Sequence, residues 1–557
     1  MKQEIVCPCP SGTVVLETES LPFSEIPHQT KLFIEYQQNP LSLKEFYPNA
    51  VESHTQISAR IPEVLENQKA DRNLLCDALD EMNRNFGAGE KTLENIRLLR
   101  ENDTVAVVTG QQAGLFSGAI YTIYKALSAV KMAECLRGRG HKAVPVFWIA
   151  TEDHDFEEVS ETFVINKNGE LAKLKNEPKR KENLPVGNIK LDNTIDETVS
   201  KLFDELSQTE FSDELRELLV NTWNENNYYG EAFAKFITKL FEKYGLIILD
   251  PLDVRLKKLS APIIKEAIEK SDEIVDALQK RSADLEKKGF HAQVLVGEDY
   301  FPLFLIETDG TRNALKKTKV GNFKTKSHEY SLSELAEIAA NEPERFSASV
   351  VLRPIVQDYI LPTVCYFGGG AEVSYFAQNA EVYRILNRPQ MTVFHRQSFT
   401  IIESKHRKTL EKYEIEFKDL FAGEEEILPV IVEKYLNSET AKIFAEAEEK
   451  INIELNRLDQ NLSQIEPTLA ENLATRRRKI LYHIGALRTK FHHAQIRQDE
   501  TLKRRFDSMF TAVLPQKHLQ ERSVNINYFL NRYGIYFIDW LYQAINLDDK
   551  GHRIIYL

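Results

Sequence analysis

Val105-Ala106-Val107-Val108, then Thr109-Gly110-Gln111-Gln112-Ala113-Gly114-Leu115-Phe116-Ser117-Gly118, then the stretch 119–136, then Val144-Pro145-Val146-Phe147-Trp148-Ile149-Ala150 decide the fold. The two apolar runs read as buried strands. Between them Ile120, Ile123, Leu127 and Val130 recur at three and four, which predicts a helix with an apolar face. Gly138 and Gly140 end that helix just before the second run. A β-α-β unit of this kind crosses over right-handed, so its strands are parallel and their carboxyl ends share one edge. In an open parallel sheet that edge is where ligands bind.

Working outward, 162–165 and 171–174 flank Asn168-Gly169 as an inserted hairpin, and Leu246-Ile247-Ile248-Leu249 resumes the sheet. A helix is expected over 254–288, then a second insertion with a strand at 302–307 entering Asp309-Gly310. The runs 350–354 and 363–367 are the last strand candidates, the latter entering Gly368-Gly369-Gly370 and a helix over 371–386. The first hundred residues, broken at Pro40, Pro48 and Pro62, read as a helical arm. After about residue 400 the strands stop. Phe444, Ile451, Leu458 and Ile465 recur every seven residues, and Leu473, Ile480, Leu487 and Ala494 repeat the pattern beyond Glu466-Pro467. Two long antiparallel helices, 438–466 and 468–505, are predicted. Ile443, Ile453 and Leu481 fall off the seam, and the outgoing arm is acidic where the returning arm is basic, which together predict a homodimer. The organisation expected is therefore an α/β core over 1–400 with insertions near 160–230 and 289–345, a coiled coil over 401–515, and a segment 516–557 returning to the core.

Composition narrows the function classes. The chain has 557 residues, 42% hydrophobic and 28% charged, which is the balance of a folded multidomain protein. Its net charge of −13 argues against a large phosphate-tracking surface, so nucleic acid is disfavoured as a partner and the basic run Arg476-Arg477-Arg478-Lys479 reads as a coiled-coil flank. No apolar run approaches the ~20 residues that cross a bilayer, and the start lacks a basic and then apolar leader, so no membrane role and a cytoplasmic location are expected. Five cysteines without zinc-ribbon spacing read as reduced thiols, and Cys7-Pro8-Cys9 as terminal packing.

Two segments at the carboxyl strand ends carry candidate chemistry. The loop 109–118 could cradle a phosphate or carboxylate with its backbone N–H groups and the helix start, helped by Thr109, Gln111, Gln112, Gly114, Ser117 and Gly118, with Lys125 in reach. It matches neither Gly-x-Gly-x-x-Gly nor a Walker A sequence, and tight helix–strand packing explains the glycines equally well. The second segment, Glu152-Asp153-His154-Asp155, places ionisable residues side by side, which calls for something positive among them. A substrate ammonium group is the first reading, a divalent metal the second, and an acid-capped helix start the bland one. Arg353 with Gln357 and Asp358, Gly368–Gly370 with Glu372, and His291 with Gln293 are further candidates, each equally readable as structural.

Thr-Gly-Gln-Gln-Ala-Gly-Leu-Phe-Ser-Gly, Phe-Trp-Ile-Ala-Thr-Glu-Asp-His-Asp-Phe-Glu-Glu, Leu-Arg-Pro-Ile-Val-Gln-Asp and Tyr-Phe-Gly-Gly-Gly-Ala-Glu together resemble the cysteine-adding ligase family of bacillithiol biosynthesis, over nearly the whole chain. The resemblance implies joining the carboxyl group of cysteine to the amine of glucosaminyl malate. It also implies a Rossmann-like, nucleotidyltransferase-type core with connecting-peptide insertions and a dimerising coiled coil. ATP or another nucleotide would activate the carboxyl group; a metal is not specified. Within that reading Asp153, His154 and Asp155 are the catalytic candidates. Glu152, Arg353, Gln357, Asp358, Tyr366, Glu372, His291, Gln293 and Arg396 would bind substrate, with Arg353 or Arg396 clamping the malate carboxylates. Gly368, Gly369 and Gly370 would join the 109–118 loop in holding the nucleotide. The core is also similar, more distantly, to cysteinyl-tRNA synthetase. Its His-Ile-Gly-His segment falls on Phe116-Ser117-Gly118-Ala119, where only the glycine matches, and no His-His or Cys follows Gly370 to hold a zinc. An aminoacyl ligase for another amine acceptor and a non-catalytic pathway scaffold are the alternative functions.

Overall fold

Strands β1 (Val105–Gln111) and β2 (Ala143–Ile149) are joined by helix α1 (Tyr121–Gly138), and they pair in parallel from Val105 opposite Ala143 to Gln111 opposite Ile149. The computed structural model describes residues 3–9, 12–179 and 183–557. Ile247–Leu249 (β3) adds to β2, Thr363–Gly368 (β4) to the other side of β1, and Thr392–His395 (β5) to β4, all in parallel. The spatial order is β5-β4-β1-β2-β3. This is the doubly wound Rossmann order, whose direction reverses between β1 and β4. The expected α/β Rossmann-like core with a helical coiled coil is therefore the architecture found. The reversal point opens where β1 ends at Gln111 and β4 at Gly368.

The strands are buried on both faces, as a parallel sheet covered by helices requires. Ala129, Met132, Ala133 and Leu136 of α1 pack with Val105, Val107 and Val364, and with Ile57, Ile61 and Val64 of the N-terminal region. Small residues let α1 approach closely, and the helix is buried nearly all round, including Lys125.

Several expectations change. The chain begins with a β-hairpin, Gln3–Cys9 with Gly12–Leu21, in a sheet with the last strand, His552–Tyr556. Alternation was its signal, since Leu16 and Thr18 turn inward. Cys7, Cys76 and Cys365 are buried free thiols, and the side chain of Cys9 lies outside the described residues. The run 350–354 is not a strand: Arg353–Ile360 is helix α2, with Pro354 in its first turn, where a missing N–H costs nothing. The expected helix over 254–288 is two, Val254–Glu269 and Ser271–Lys287, broken at Lys270, whose ammonium is drawn to the Ile385 carbonyl at 2.8 Å. The second insertion forms its own antiparallel sheet of Phe346–Ala348, Leu303–Ile306 and Arg312–Ala314. The first is the hairpin Glu161–Ile165 with Leu171–Lys175.

By internal contacts the chain divides into Met1–Thr400 with Gln520–Ile555, and Ile401–Leu519 with Tyr556–Leu557. In the second unit Ser438–Ile465 and Pro467–Gln498 pair as a hairpin, and Asp499 caps a further helix, Glu500–Val513. Phe444 meets Phe491 at 5.7 Å, while Arg488 pairs with Glu433 at 2.6 Å and Glu448 at 3.4 Å. No described helix is long and apolar enough to cross a membrane.

Candidate functional site

The turn after β1 is closed on itself. Gly114 N–H bonds the Gln112 carbonyl at 2.9 Å, Ser117 N–H that of Gly114, Gly118 N–H that of Leu115, and Ile120 N–H that of Val524. Asn525 donates to the Phe116 carbonyl at 3.0 Å and the Gly118 carbonyl at 2.7 Å, so the C-terminal segment of this unit staples the turn. A Cβ on Gly114 would stand 2.8 Å from Gly118 Cα, and Gly118 itself has φ +69° and ψ −154°, a region only glycine occupies without strain. The packing explanation of these glycines is the one the geometry supports. Of the expected cradle, the N–H groups of Gly114, Ser117 and Gly118 are spent within the turn, and the Gln112 side chain is spent on Asp153 and Glu158. Thr109 is a strand residue whose hydroxyl donates to the Phe367 carbonyl at 2.7 Å, and the buried Ser117 hydroxyl has no partner among the described residues.

The side chains at the reversal point form a polar knot. Helix α3 (Gly370–Ile385) starts there, and Glu372 accepts the Gly369 N–H at 2.7 Å as half of a capping box. Gly368 leaves room for it, since a Cβ there would meet Glu372 Cβ at 2.9 Å. Tyr366 donates its hydroxyl to Glu372 at 2.8 Å, and buried Lys125 pairs with the same carboxylate. Lys125 also donates to the Gly110 carbonyl and the Gln111 side chain, each at 2.8 Å. Burial pushes the Glu372 carboxyl up, but Lys125, the Gly369 N–H and Tyr366 outweigh it and hold the group below the usual carboxylate range. Lys125 is thus committed to Glu372 and not held ready for an anion.

Arg353 stands beside this knot. It donates to Gln357 at 3.1 Å and to the Tyr375 hydroxyl at 3.3 Å, and its guanidinium lies 5.4 Å from the Tyr366 ring centre. None of these partners is a carboxylate. Among the described residues it makes no ion pair, although the nearby Glu372 charge helps to keep it protonated. Gln357 and Asp358 lie behind it: Gln357 donates to Asp358 at 3.1 Å, Tyr383 does so at 2.6 Å, and burial pushes the Asp358 carboxyl up to about 7. They orient Arg353 from inside the protein and do not face a ligand. Arg396, the other proposed clamp, is corrected outright. It is buried in a bidentate pair with Glu521 at 2.7 and 2.8 Å, so its fork is spent.

The acidic segment after β2 is already answered by the protein's own cations. Glu152 is buried against Lys257, whose ammonium also donates to the Phe346 carbonyl at 2.6 Å. Asp153 accepts from Gln112 at 2.9 Å and from its neighbour's backbone N–H at 2.8 Å, with Arg312 at 3.4 Å. Arg312 reaches His154 Nδ1 at 2.7 Å. Asp155 is exposed and caps the short helix Phe156–Val159, as the bland reading had it. Gln112, which also donates to Glu158 at 2.7 Å, ties this segment to the turn after β1. Among the described residues no group of three or more His, Cys, Asp or Glu side chains is arranged to hold a metal.

Lys257, Arg312 and Asn525 were missed, because each comes from an element remote in sequence with no local motif; Tyr375 lies on α3 one turn after Glu372, a spacing that was its available signal. Asp250, at the end of β3, was missed too. Burial pushes its carboxyl up to about 6, against the Thr151 hydroxyl and Leu252 N–H that favour its charge. Its position after a core strand was the available signal. His291 and Gln293 are exposed on the coil after Ser271–Lys287, which Gln378 anchors at Val294 through 2.8 Å bonds. No contact brings either of them to the crevice among the described residues.

Comparisons with known proteins agree with this architecture. Residues 16–397 match the model of the bacillithiol biosynthesis BshC N-terminal Rossmann-like domain, and 399–557 that of the BshC C-terminal coiled-coil domain. By contacts, however, Gln520–Ile555 belongs with the first unit. The "Putative cysteine ligase BshC" of Koribacter versatilis (strain Ellin345) is 33% identical, over 96% of this chain and 99% of its own. Those of Salinibacter ruber and Bacillus cytotoxicus are 33% and 31% identical, over 94% and 88% of this chain and 96% and 92% of theirs. A structure described as a putative arginyl-tRNA synthetase from Campylobacter jejuni aligns over 86% of this chain and 98% of its own at 9% identity, with a TM-score of 0.22, too low to bear on the fold. With both domain models matched in order along nearly the full length, the chain belongs to the bacillithiol biosynthesis BshC family.

Proposed function

We propose that this protein is a cysteine ligase that joins the carboxyl group of cysteine to the amine of glucosaminyl malate, forming bacillithiol in the last step of its synthesis. The observation that carries the reading is Arg353: a guanidinium beside the Rossmann reversal point, oriented by Gln357, Tyr375 and Tyr366 and making no ion pair among the described residues. It suits a substrate carboxylate, and malate supplies two. The relatives' printed name supports the choice of cysteine.

Amide formation also needs an amine that has lost its proton. Asp155 is the exposed carboxylate beside Asp153 and His154, and is the proposed acceptor of that proton as nitrogen attacks the carbonyl carbon. A free carboxylate does not form an amide unaided at neutral pH, so ATP or another nucleotide is the proposed activator. In the 109–118 turn the N–H groups of Gly114, Ser117 and Gly118 are already spent on the turn itself. Purified protein with cysteine, glucosaminyl malate and ATP should yield the ligated thiol by mass spectrometry, with AMP or ADP released. Absence of product with all three present would overturn the reading.

The coiled coil is the proposed dimer interface. Ile443, Ile453, Leu458, Ile465 and Leu487 of the hairpin are each more than half exposed, and a second copy would cover them.

A further inference from the structure

His154 meets a partner from a distant part of the chain. Arg312, on the strand Arg312–Ala314 of the second insertion, places Nη1 2.7 Å from His154 Nδ1. A guanidinium carries only donors. The imidazole nitrogen facing it must therefore be the acceptor, with its lone pair toward Arg312 and the ring proton on Nε2.

Arg312 is held in place to do this. Its Nε donates to the Ser347 hydroxyl at 3.0 Å, and its guanidinium lies 3.6 Å from the Phe304 ring centre. Ser347 and Phe304 belong to the two other strands of the same inserted sheet, so the sheet grips Arg312 from two sides. Among the described residues the acceptor that could draw a proton to Nδ1 instead is Asp153 Oδ1. It lies 3.7 Å away, beyond hydrogen-bonding reach, and already accepts the His154 backbone N–H at 2.8 Å. At the other end of the ring, Nε2 has no partner among the described residues, and the side chain is 34% exposed.

We propose that Arg312 is a positioning residue that locks His154 in the neutral Nε2–H form, so that the crevice meets a hydrogen-bond donor there and not a base. The electrostatics agree. Burial lowers the His154 pKa first, Arg312 and then Lys326 push the same way, and Asp153 and Asp155 oppose them. An Nε2–H donor can bind a carboxylate, or a carbonyl oxygen on which negative charge develops. It cannot take the proton of an attacking amine, which leaves that work to a carboxylate. The use of the donor in amide formation rests on the function proposed above; the tautomer itself does not.

The test is long-range ¹H–¹⁵N spectroscopy of the full chain labelled in histidine, without substrates, with the His154 signals assigned by loss in His154→Gln. The expected wild-type spectrum at pH 7 has a protonated Nε2 and an acceptor-type Nδ1. In Arg312→Gln the two aspartates go unopposed, so the His154 titration midpoint should rise by at least about one pH unit and the tautomers should mix. Arg312→Lys, which keeps the charge, should restore most of the low midpoint. A wild-type His154 that is charged at pH 7, or protonated at Nδ1, overturns the proposal whatever the variants do. So does a folded Arg312→Gln whose midpoint is unmoved. In the ligation assay Arg312→Gln should lower kcat and shift the pH profile with the same midpoint. An inactive wild type would sink the functional reading while leaving the spectroscopic result intact.

Discussion

Lys125→Met is the sharpest perturbation of the reversal point. Lys125 is 3% exposed and its Glu372 partner 21%, so the pair sits in the protein and not at its surface. Methionine fills similar volume on a helix that packs closely, so little packing is lost. What remains is a largely buried carboxylate that keeps the Gly369 N–H and Tyr366 hydroxyl but loses its direct ion pair, with Arg353 and Arg396 acting only at longer range. Removing one member of a buried pair costs about 3–5 kcal/mol, most of it the penalty on the charge left behind. Glu372→Gln should cost a similar amount, and the double variant less than the sum by about 2 kcal/mol or more, since neither charge is then stranded. Urea unfolding followed by tryptophan fluorescence suits the measurement, because Trp148, Trp223 and Trp540 are all buried in the first unit. The pH dependence has a definite sign. The native Glu372 carboxyl lies below its unfolded value, so its contribution is full above that value and is lost as pH falls through the depressed one. In Lys125→Met the carboxyl rises instead and protonates earlier, so the deficit should shrink between pH 7 and pH 5. Strictly additive single variants, or a Lys125→Met cost within the ~0.5 kcal/mol typical of surface changes, would refute a buried coupled pair.

Four other outcomes follow from the same geometry. Arg353→Lys loses the planar fork held by Gln357 and Tyr375, and should raise KM for glucosaminyl malate about tenfold or more while leaving KM for cysteine within twofold; equal effects on both would move the carboxylate site elsewhere. Asp153→Asn with Asp155→Asn should abolish ligation, and full activity would remove the acidic segment from the chemistry. Gly118→Val should cost about 1–3 kcal/mol in urea unfolding because of its φ of +69°, not through lost anion affinity, and an unchanged midpoint would contradict that backbone. Replacing 438–505 by a short Gly/Ser linker should give a monomer by light scattering from a dimeric parent, whereas a monomeric full-length protein would assign the exposed hairpin residues to another partner.

The Rossmann core was legible because parallel strands buried on both faces must be apolar throughout, and the turn residues bracket them. Val105–Val108 and Val144–Ala150 needed no long-range information. Val350-Val351-Leu352 obeyed the same rule and misled, because apolarity in a short run does not separate a strand from a turn leading into a helix; the proline after Arg353 was the better guide, as the first turn of a helix. The long helices of 438–498 were legible for the opposite reason, their period excluding a strand, but the heptad did not place the buried seam, since Leu458, Ile465 and Leu487 are more than half exposed.

The site was legible in its anions and not in its cations. Glu152-Asp153-His154-Asp155 drew attention because like charges adjacent in sequence cannot be ignored, and the inference that something positive faces them was physically sound. The answer came from 105 residues away for Lys257 and 159 for Arg312, on elements whose local sequence says nothing of an acidic neighbour. Two consequences follow for the crevice. Glu152 and Asp153 are partly neutralised before any substrate arrives, so an incoming ammonium group competes with Lys257 and Arg312 and does not fall into an empty anionic hole. Arg353, by contrast, makes no ion pair among the described residues and shares Glu372 only at longer range. On the function proposed above, selectivity would rest on a carboxylate recognised by Arg353 more than on an amine recognised by the acidic run, the reverse of the emphasis that adjacency in the sequence suggested.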